Sequence, residues 1–271
     1  MTTLREELAG ATASLAEVGC ETPRLDAELL LAHVLGVDRA QLVIRGDEDA
    51  GGDDRTRYLA LLTRRVKREP MAYILGRRDF RRLTLLVDPR VLIPRPETEL
   101  LVEVGLTLPA GARVADVGTG SGAVALALKD ERPDLDVVGV DVSGGALSVA
   151  RMNASRLGLQ VEFVKGDLLE GVAACDAIVA NLPYVAEDEL LPPDVALYEP
   201  REALLGGRDG LDVLRRLVAQ AGARPEISML ALEIGHDQGD AVAGLAGEAG
   251  FSEVERLRDL AGHERVIAGR R

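Results

Sequence analysis

Val114-Ala115-Asp116-Val117-Gly118-Thr119-Gly120-Ser121-Gly122 reads as an apolar strand running into a glycine-rich turn, with a helix predicted directly after it. Glycines let the backbone come close to a ligand, and the free N–H groups at a helix start favour a negatively charged group. The turn is ambiguous by itself. Gly118, Gly120 and Ala123 also satisfy the G-x-G-x-x-G/A pattern of dinucleotide sites, and a turn kept only for tight packing would look the same.

Outward from the turn the chain alternates. Strands are expected near 113–117, 136–140, 161–164, 176–180, 227–234, 251–257 and 264–268, with helices over 121–130, 145–157, 209–221 and 237–249. Five strands separated by helices, then two joined by a short turn, predict an α/β fold whose mostly parallel sheet ends in a C-terminal antiparallel hairpin. A plain dinucleotide fold would continue its helical crossovers. Upstream, Leu4, Leu8, Ala11 and Leu15 recur at helical spacing, and Pro23 to Leu35 forms a second amphipathic run ending at Gly36. Residues 57–68 suggest a third helix that stops before Pro70, after a loop at 51–54. Residues 73–75, 80–87 and 91–93 carry β-formers and read as a short hairpin bridge, followed by a helix to about Thr107. The expected organisation is a helical N-terminal domain over 1–70, a β-hairpin linker over 71–93 and a catalytic domain over 94–271.

The 271 residues carry 32 Lys and Arg against 45 Asp and Glu, a net charge of −13. Dedicated nucleic-acid binders are mostly basic, so this balance disfavours nucleic acid without excluding a local basic patch. Such a patch is present: residues 55–82 hold ten Arg and Lys against Glu69 and Asp79, which reads either as a solvated face or as a docking surface. No apolar stretch approaches the ~20 residues that span a bilayer, and Met1 to Leu15 lacks a signal-peptide core. The expected address is therefore cytoplasmic. Cys20, Cys175 and the three scattered histidines suggest neither a disulfide framework nor a metal site.

Three further positions lie at predicted strand ends. Asp141 stands nineteen residues beyond Gly122, where a carboxylate can hold two ribose hydroxyls; it or Ser143 could equally cap the next helix. Asp167, after the third strand, sits where an adenine amino group could be read. Asn181-Leu182-Pro183-Tyr184 follows the apolar run Ala177-Ile178-Val179-Ala180, at the edge where open α/β sheets bind ligands. An Asn side-chain oxygen plus a backbone carbonyl can accept both hydrogens of a planar –NH2 group, and Tyr184 can stack on its plane. That suits a nitrogen nucleophile whose lone pair is delocalised, although an ordinary Asn-x-Pro turn uses the same residues.

Together, Gly118-Thr119-Gly120-Ser121-Gly122, Asp141, Asp167 and the Asn-x-Pro-Tyr tetrapeptide resemble a class I S-adenosylmethionine-dependent methyltransferase acting on nitrogen. Met71-Ala72-Tyr73-Ile74-Leu75-Gly76, Phe80 and Val91-Leu92-Ile93-Pro94-Arg95-Pro96-Glu97-Thr98-Glu99 narrow the resemblance to the PrmC/HemK family, as do Glu199-Pro200-Arg201-Glu202-Ala203-Leu204 and Asp209-Gly210-Leu211. That family methylates the N5 of the glutamine in the Gly-Gly-Gln motif of peptide chain release factors. The resemblance covers essentially the whole chain and implies a Rossmann-like fold, S-adenosylmethionine as methyl donor, S-adenosylhomocysteine as product and no metal. It also implies a helical N-terminal domain that grips the release factor. Gly118–Gly122 would meet the methionyl end, Asp141 the ribose, and Asp167 and Leu168 the adenine. Asn181 and the Leu182 carbonyl would take the substrate amide, walled by Pro183 and Tyr184.

Two departures stand out. The family usually has Pro where Leu182 stands, and a Ser-Pro pair where this chain has Ser143-Gly144. Asn-Leu-Pro-Tyr is also how rRNA adenine dimethyltransferases tend to spell the motif, so N6-adenine methylation of RNA or DNA is the alternative. Domain order favours the protein substrate, because adenine dimethyltransferases carry their glycine turn near the N-terminus. A nucleotide-binding oxidoreductase comes last, having no role for the late hairpin or the tetrapeptide.

Overall fold

Thr3 opens the first helix, α1 (Leu4–Glu17), through a capping box: its hydroxyl accepts from the Glu6 N–H at 3.3 Å, and Glu6 Oε2 accepts from the Thr3 N–H at 2.9 Å. In the computed structural model, which describes residues 2–271, this helix belongs to one of two units. The first holds the chain up to Gly76 together with Leu191–Tyr198; the second holds Arg77–Leu190 and Glu199–Arg271. In the first unit the Leu4, Leu8, Ala11, Leu15 stripe is buried, as its spacing predicts. It shares a core with Leu30 and Leu31 of α2 (Pro23–Leu35), Leu42 of α3 (Arg39–Ile44) and Tyr58 of α4 (Gly52–Val66). Each fully buried leucine contributes roughly 1.5–3 kcal/mol. Helix α2 starts on a proline and stops at Gly36, whose φ of 64° is the left-handed value that ends helices.

Two local expectations are corrected here, and one short helix was not foreseen. Gly52-Asp53-Asp54, read as loop, is the first turn of α4, where two carboxylates meet the positive end of the helix dipole. Residues 73–75, read as β, form helix α5 (Met71–Leu75), ended by Gly76 at φ 68°. The six-residue α3 was too short to show a period. The basic run also resolves. Arg55 pairs with Glu7, Arg57 with Asp54, Arg64 with Glu69, Arg65 with Asp26 and Asp194, and Arg68 with Asp194. In the second unit Arg81 pairs with Glu131 and Glu103, and Arg82 with Asp130. Most of the apparent basic patch is spent on the protein's own carboxylates.

The second unit opens with an antiparallel hairpin, β1 (Arg77–Phe80) and β2 (Leu83–Leu86); residues 91–93 add no strand to it. Helix α6 (Glu99–Leu106) follows a 3-10 turn at Pro96–Thr98. Then come β3 (Arg113–Val117), α7 (Ala123–Glu131), β4 (Asp136–Asp141), α8 (Gly144–Leu157), β5 (Glu162–Lys165) and β6 (Ala177–Ala180). The short α9 (Pro193–Tyr198), unforeseen in the sequence, belongs to the first unit, where Asp194 meets Arg65 and Arg68. The chain finishes with α10 (Asp212–Gly222), β7 (Met229–Glu233), α11 (Gly239–Glu248), β8 (Glu253–Arg258) and β9 (Glu264–Arg270).

The seven-stranded sheet has the order β5-β4-β3-β6-β7-β9-β8. β5 to β7 run parallel, and β9 inserts antiparallel between β7 and β8. This is the mostly parallel α/β sheet with a C-terminal antiparallel hairpin that the order of elements predicted, in the class I methyltransferase form that the resemblance implied. Alternation along the strands splits the core between the two faces: Val114, Val137 and Val179 pack on one, Ala115, Val138 and Ile178 on the other. Winding runs from β3 outward to β4 on one side and to β6 on the other, so the carboxyl ends of β3 and β6 flank the switch point where such sheets bind ligands.

Candidate active site

The glycine turn is tied down from below. The Gly118 and Thr119 N–H groups both donate to the Val140 carbonyl, at 2.8 and 2.9 Å, and the Gly120 N–H donates to Asp141 Oδ2 at 2.9 Å. Gly118 is required twice over. Its φ is 76°, and a Cβ there would lie 2.9 Å from Leu182 Cδ2 and 3.3 Å from the Asn181 carbonyl oxygen. The turn and the tetrapeptide are therefore packed directly on one another. Above them lies a cavity of about 400 Å³ lined by Gly118 to Ser121, Asp141, Gly166 to Leu168 and Asn181 to Pro183, within the size range of small-molecule sites. Nearly every residue expected at the site is thus brought to one crevice.

Two are not. Gly122, expected with the other glycines, does not line the cavity; it caps α7 at φ 81°, and a Cβ there would press on Leu126 and Ala150. Its work is packing. Tyr184 also lies outside the lining: its hydroxyl points away to donate to Glu233 Oε1 at 3.3 Å. Burial and the Glu233 charge push that hydroxyl's pKa up, so it remains a donor.

The acidic residues differ in how they are held. Asp141 accepts from Gly120 through Oδ2 and from the Ser143 N–H through Oδ1 at 2.8 Å. Ser143 in turn caps α8, accepting from the Ala146 N–H at 3.2 Å. Burial still moves Asp141 upward, against those two bonds, and Glu202, which also lines the cavity, adds to the shift. Asp167 is half exposed and paired with Arg216 at the cavity wall. Leu168 is buried with φ 58°, a left-handed value that costs a branched side chain of order 1–3 kcal/mol.

Sequence reasoning missed four residues here. Asp116 lines the cavity from the end of β3; Oδ2 accepts from the Thr119 hydroxyl at 2.6 Å and from the Ala125 N–H at 3.0 Å, while burial pushes the carboxyl up to about 6. A lone aspartate in an otherwise apolar strand was the available signal. Thr98, buried, accepts from Asn181 Nδ2 at 3.0 Å and so turns the amide. Glu233 ends β7 behind them. Glu199 binds the Ile93 N–H at 3.0 Å and the Arg95 guanidinium, which anchors the stretch leading to Thr98. The motif around Thr98 was recognised, but its contact with Asn181 spans 83 residues of sequence.

A switch-point crevice walled by a tethered glycine turn, two strand-end aspartates and an Asn-x-Pro-Tyr edge, on a sheet closed by an antiparallel hairpin, defines a methyltransferase of class I. Residues 6–76 match the PrmC N-terminal domain and residues 96–193 the methyltransferase small domain. The release factor glutamine methyltransferase of Geobacter sulfurreducens is 42% identical over 99% of this chain and 96% of its own length, and that of Neisseria gonorrhoeae 46% identical over 92% and 93%. The chain belongs to the release factor glutamine methyltransferase family. Among solved structures, the 16S rRNA N2 G1207 methyltransferase of T. thermophilus, in complex with AdoMet and guanosine, superposes with a TM-score of 0.53 at 21% identity. It covers 72% of this chain and 49% of that one, a likeness of fold alone.

Proposed function

We propose that this chain transfers a methyl group from S-adenosylmethionine to the side-chain nitrogen of the glutamine in the Gly-Gly-Gln motif of peptide chain release factors, acting in the cytoplasm. The observation that carries the reading is the oriented Asn181 amide: with Nδ2 given to Thr98, Oδ1 is left for the crevice. An acceptor oxygen beside a free backbone carbonyl suits a carboxamide –NH2.

The residues present fit S-adenosylmethionine. Gly118 and Gly120 line the cavity without side chains, and Asp116, Asp141 and Glu202 supply negative charge for an ammonium group and hydroxyls. When bound, that molecule supplies an electrophilic methyl group on a sulfonium. Gly118 to Ser121 would hold its methionyl end with Asp116 facing the ammonium. Asp141 keeps a second lone pair on each oxygen for the ribose, and Asp167 and Leu168 border the adenine region.

Asn181 Oδ1 and the Leu182 carbonyl then accept the two amide hydrogens, absorbing positive charge as the nitrogen attacks. Leu182 does this through its backbone, so the usual proline is dispensable to the role. Catalysis on this account is orientation and preorganised hydrogen bonding; the nitrogen becomes acidic on methylation and loses its proton afterwards, so no strong base is required. The helical unit is assigned to substrate recognition.

The test is methyl transfer from labelled S-adenosylmethionine, offered separately to purified release factor and to ribosomal RNA. Label on the Gly-Gly-Gln glutamine is the expected result. Label on RNA alone would make adenine methylation the correct reading.

A further inference from the structure

Glu233 has no part in the account above, yet it is the most expensively placed carboxylate in the second unit. It is 1% exposed, Oε1 accepts only the Tyr184 hydroxyl, and Oε2 is buried with no hydrogen-bond partner among the described residues. An unsatisfied buried oxygen is destabilising, and more so when charged. A leucine at the end of β7 would pack without that cost. Its neighbours connect it to the tetrapeptide on two sides. Tyr184 reaches it directly, and the Thr98 hydroxyl, which already accepts from Asn181 Nδ2, lies near enough to stabilise its charge.

We propose that Glu233 is a positioning residue for the methyl-acceptor site, holding Tyr184 by its hydroxyl and, across Thr98, setting which end of the Asn181 amide faces the substrate. This rests on the reading of Asn181 given above. A charged carboxylate can only accept. Its charge favours the Thr98 hydroxyl turned with its proton toward the carboxylate, an orientation that leaves the Thr98 lone pairs to take Asn181 Nδ2. The amide is then locked with Oδ1 toward the crevice. A protonated Glu233 can donate to Thr98 instead, competing with Asn181 and releasing the amide to turn.

Burial pushes Glu233 up to about 7, and Glu97 pushes the same way; the Thr98 and Tyr184 hydroxyls and the Arg265 guanidinium oppose them. The lock therefore forms as pH rises through neutrality.

The experiment measures kcat and KM for release-factor methylation, and S-adenosylhomocysteine affinity, across neutral pH for the wild type, Glu233→Gln and Tyr184→Phe. In the wild type kcat rises with pH through about 7. Glu233→Gln lowers kcat about tenfold, flattens that rise and leaves product affinity and KM within about twofold. Tyr184→Phe takes a donor from the charged carboxylate and moves the rise to higher pH. A Glu233→Gln enzyme with wild-type kcat and pH profile overturns the proposal, as does a parallel loss of kcat, product binding and melting temperature. Should Glu233→Gln fail to fold, an unmoved rise in Tyr184→Phe overturns it. An infrared titration of the Glu233 carboxyl, which needs no substrate, reads the same shift. Thus a wild type inactive on release factor counts against the assigned reaction, and an unmoved carboxyl counts against Glu233.

Discussion

Asp116 near the end of β3 and Glu233 at the end of β7 are both nearly fully buried, and burial raises both, to about 6 and about 7. Their surroundings part from there. Asp116 receives a hydroxyl and a backbone N–H on one oxygen, and it lines the cavity. Glu233 receives a single long bond and keeps an orphaned oxygen behind the cavity wall. The glycine-turn end of the crevice is thus built from short bonds between the turn, its own strand β3 and the end of the neighbouring strand β4. The acceptor end is built from long-range bonds among a 3-10 turn, a strand end and the loop after β6. On the proposed reading, a rigid end would hold the donor and an adjustable end would orient the acceptor.

Asn181→Ala is the most direct way to break that division. It removes the acceptor oxygen while leaving the glycine turn intact, so kcat should fall roughly 10²- to 10³-fold, by analogy with single oxyanion-hole donors. S-adenosylhomocysteine affinity, read by calorimetry, should change little. Equal losses in both would mean that the two ends are not separable.

Gly118→Ala attacks the point where they touch. The methyl group would meet Leu182 at 2.9 Å, on a residue at φ 76°. Leu182 must move, and the expected outcome is a ten- to hundredfold loss of product affinity, at about 1.4 kcal/mol per tenfold. Melting temperature should fall with it. Gly122→Ala, outside the cavity, should lower melting temperature with a smaller effect on affinity.

The contrast also explains what the sequence disclosed. The strand ladder, the late hairpin and the stripe of α1 were legible because each is a local period in hydrophobicity. The glycine turn and Asp141 were legible because their spacing follows from one strand-turn-helix unit. Helix α5 was misread because Tyr73 and Ile74 favour strands locally, whereas the N-terminal unit buries them as a helical turn. Thr98 and Glu233 were invisible as site residues for the opposite reason. Their roles rest on bonds to Asn181 and Tyr184 across 83 and 49 residues, and no period or spacing rule encodes such pairs. The basic run at 55–82 stayed ambiguous in the sequence for the same reason, since Glu7, Asp26 and Asp194, which pair with its arginines, stand far away in sequence.

Asp116→Asn sharpens the comparison through stability. The folded carboxyl titrates near 6 against 3.8 for the free group, so the native state binds more protons between those values. Wild-type stability therefore declines as pH rises through that window, and above it the full cost of the buried charge is present. The variant escapes this cost, and its stability relative to wild type should grow from near zero below about pH 4 to on the order of 3 kcal/mol above about pH 6. Denaturant unfolding at the two pH extremes measures it. Product affinity should fall severalfold at neutral pH, because the charge facing the ammonium is gone, and stability would then be gained at the expense of binding.

Arg216→Ala is expected to have the smallest effect. The guanidinium is about half exposed and pairs with an equally exposed Asp167, a setting in which ion pairs contribute roughly 0–1 kcal/mol. If the pair merely closes the rim, stability should be unchanged within about 0.5 kcal/mol, and product affinity should change no more than about threefold. The same substitution carries sharper information in salt. An Asp167 released from Arg216 is free to accept from the adenine amino group. Added salt, which screens the exposed pair, should then narrow the gap between variant and wild type. A gap that stays constant with salt would show that Arg216 packs against the donor instead of competing for Asp167. The adenine side would then belong with the rigid end of the crevice.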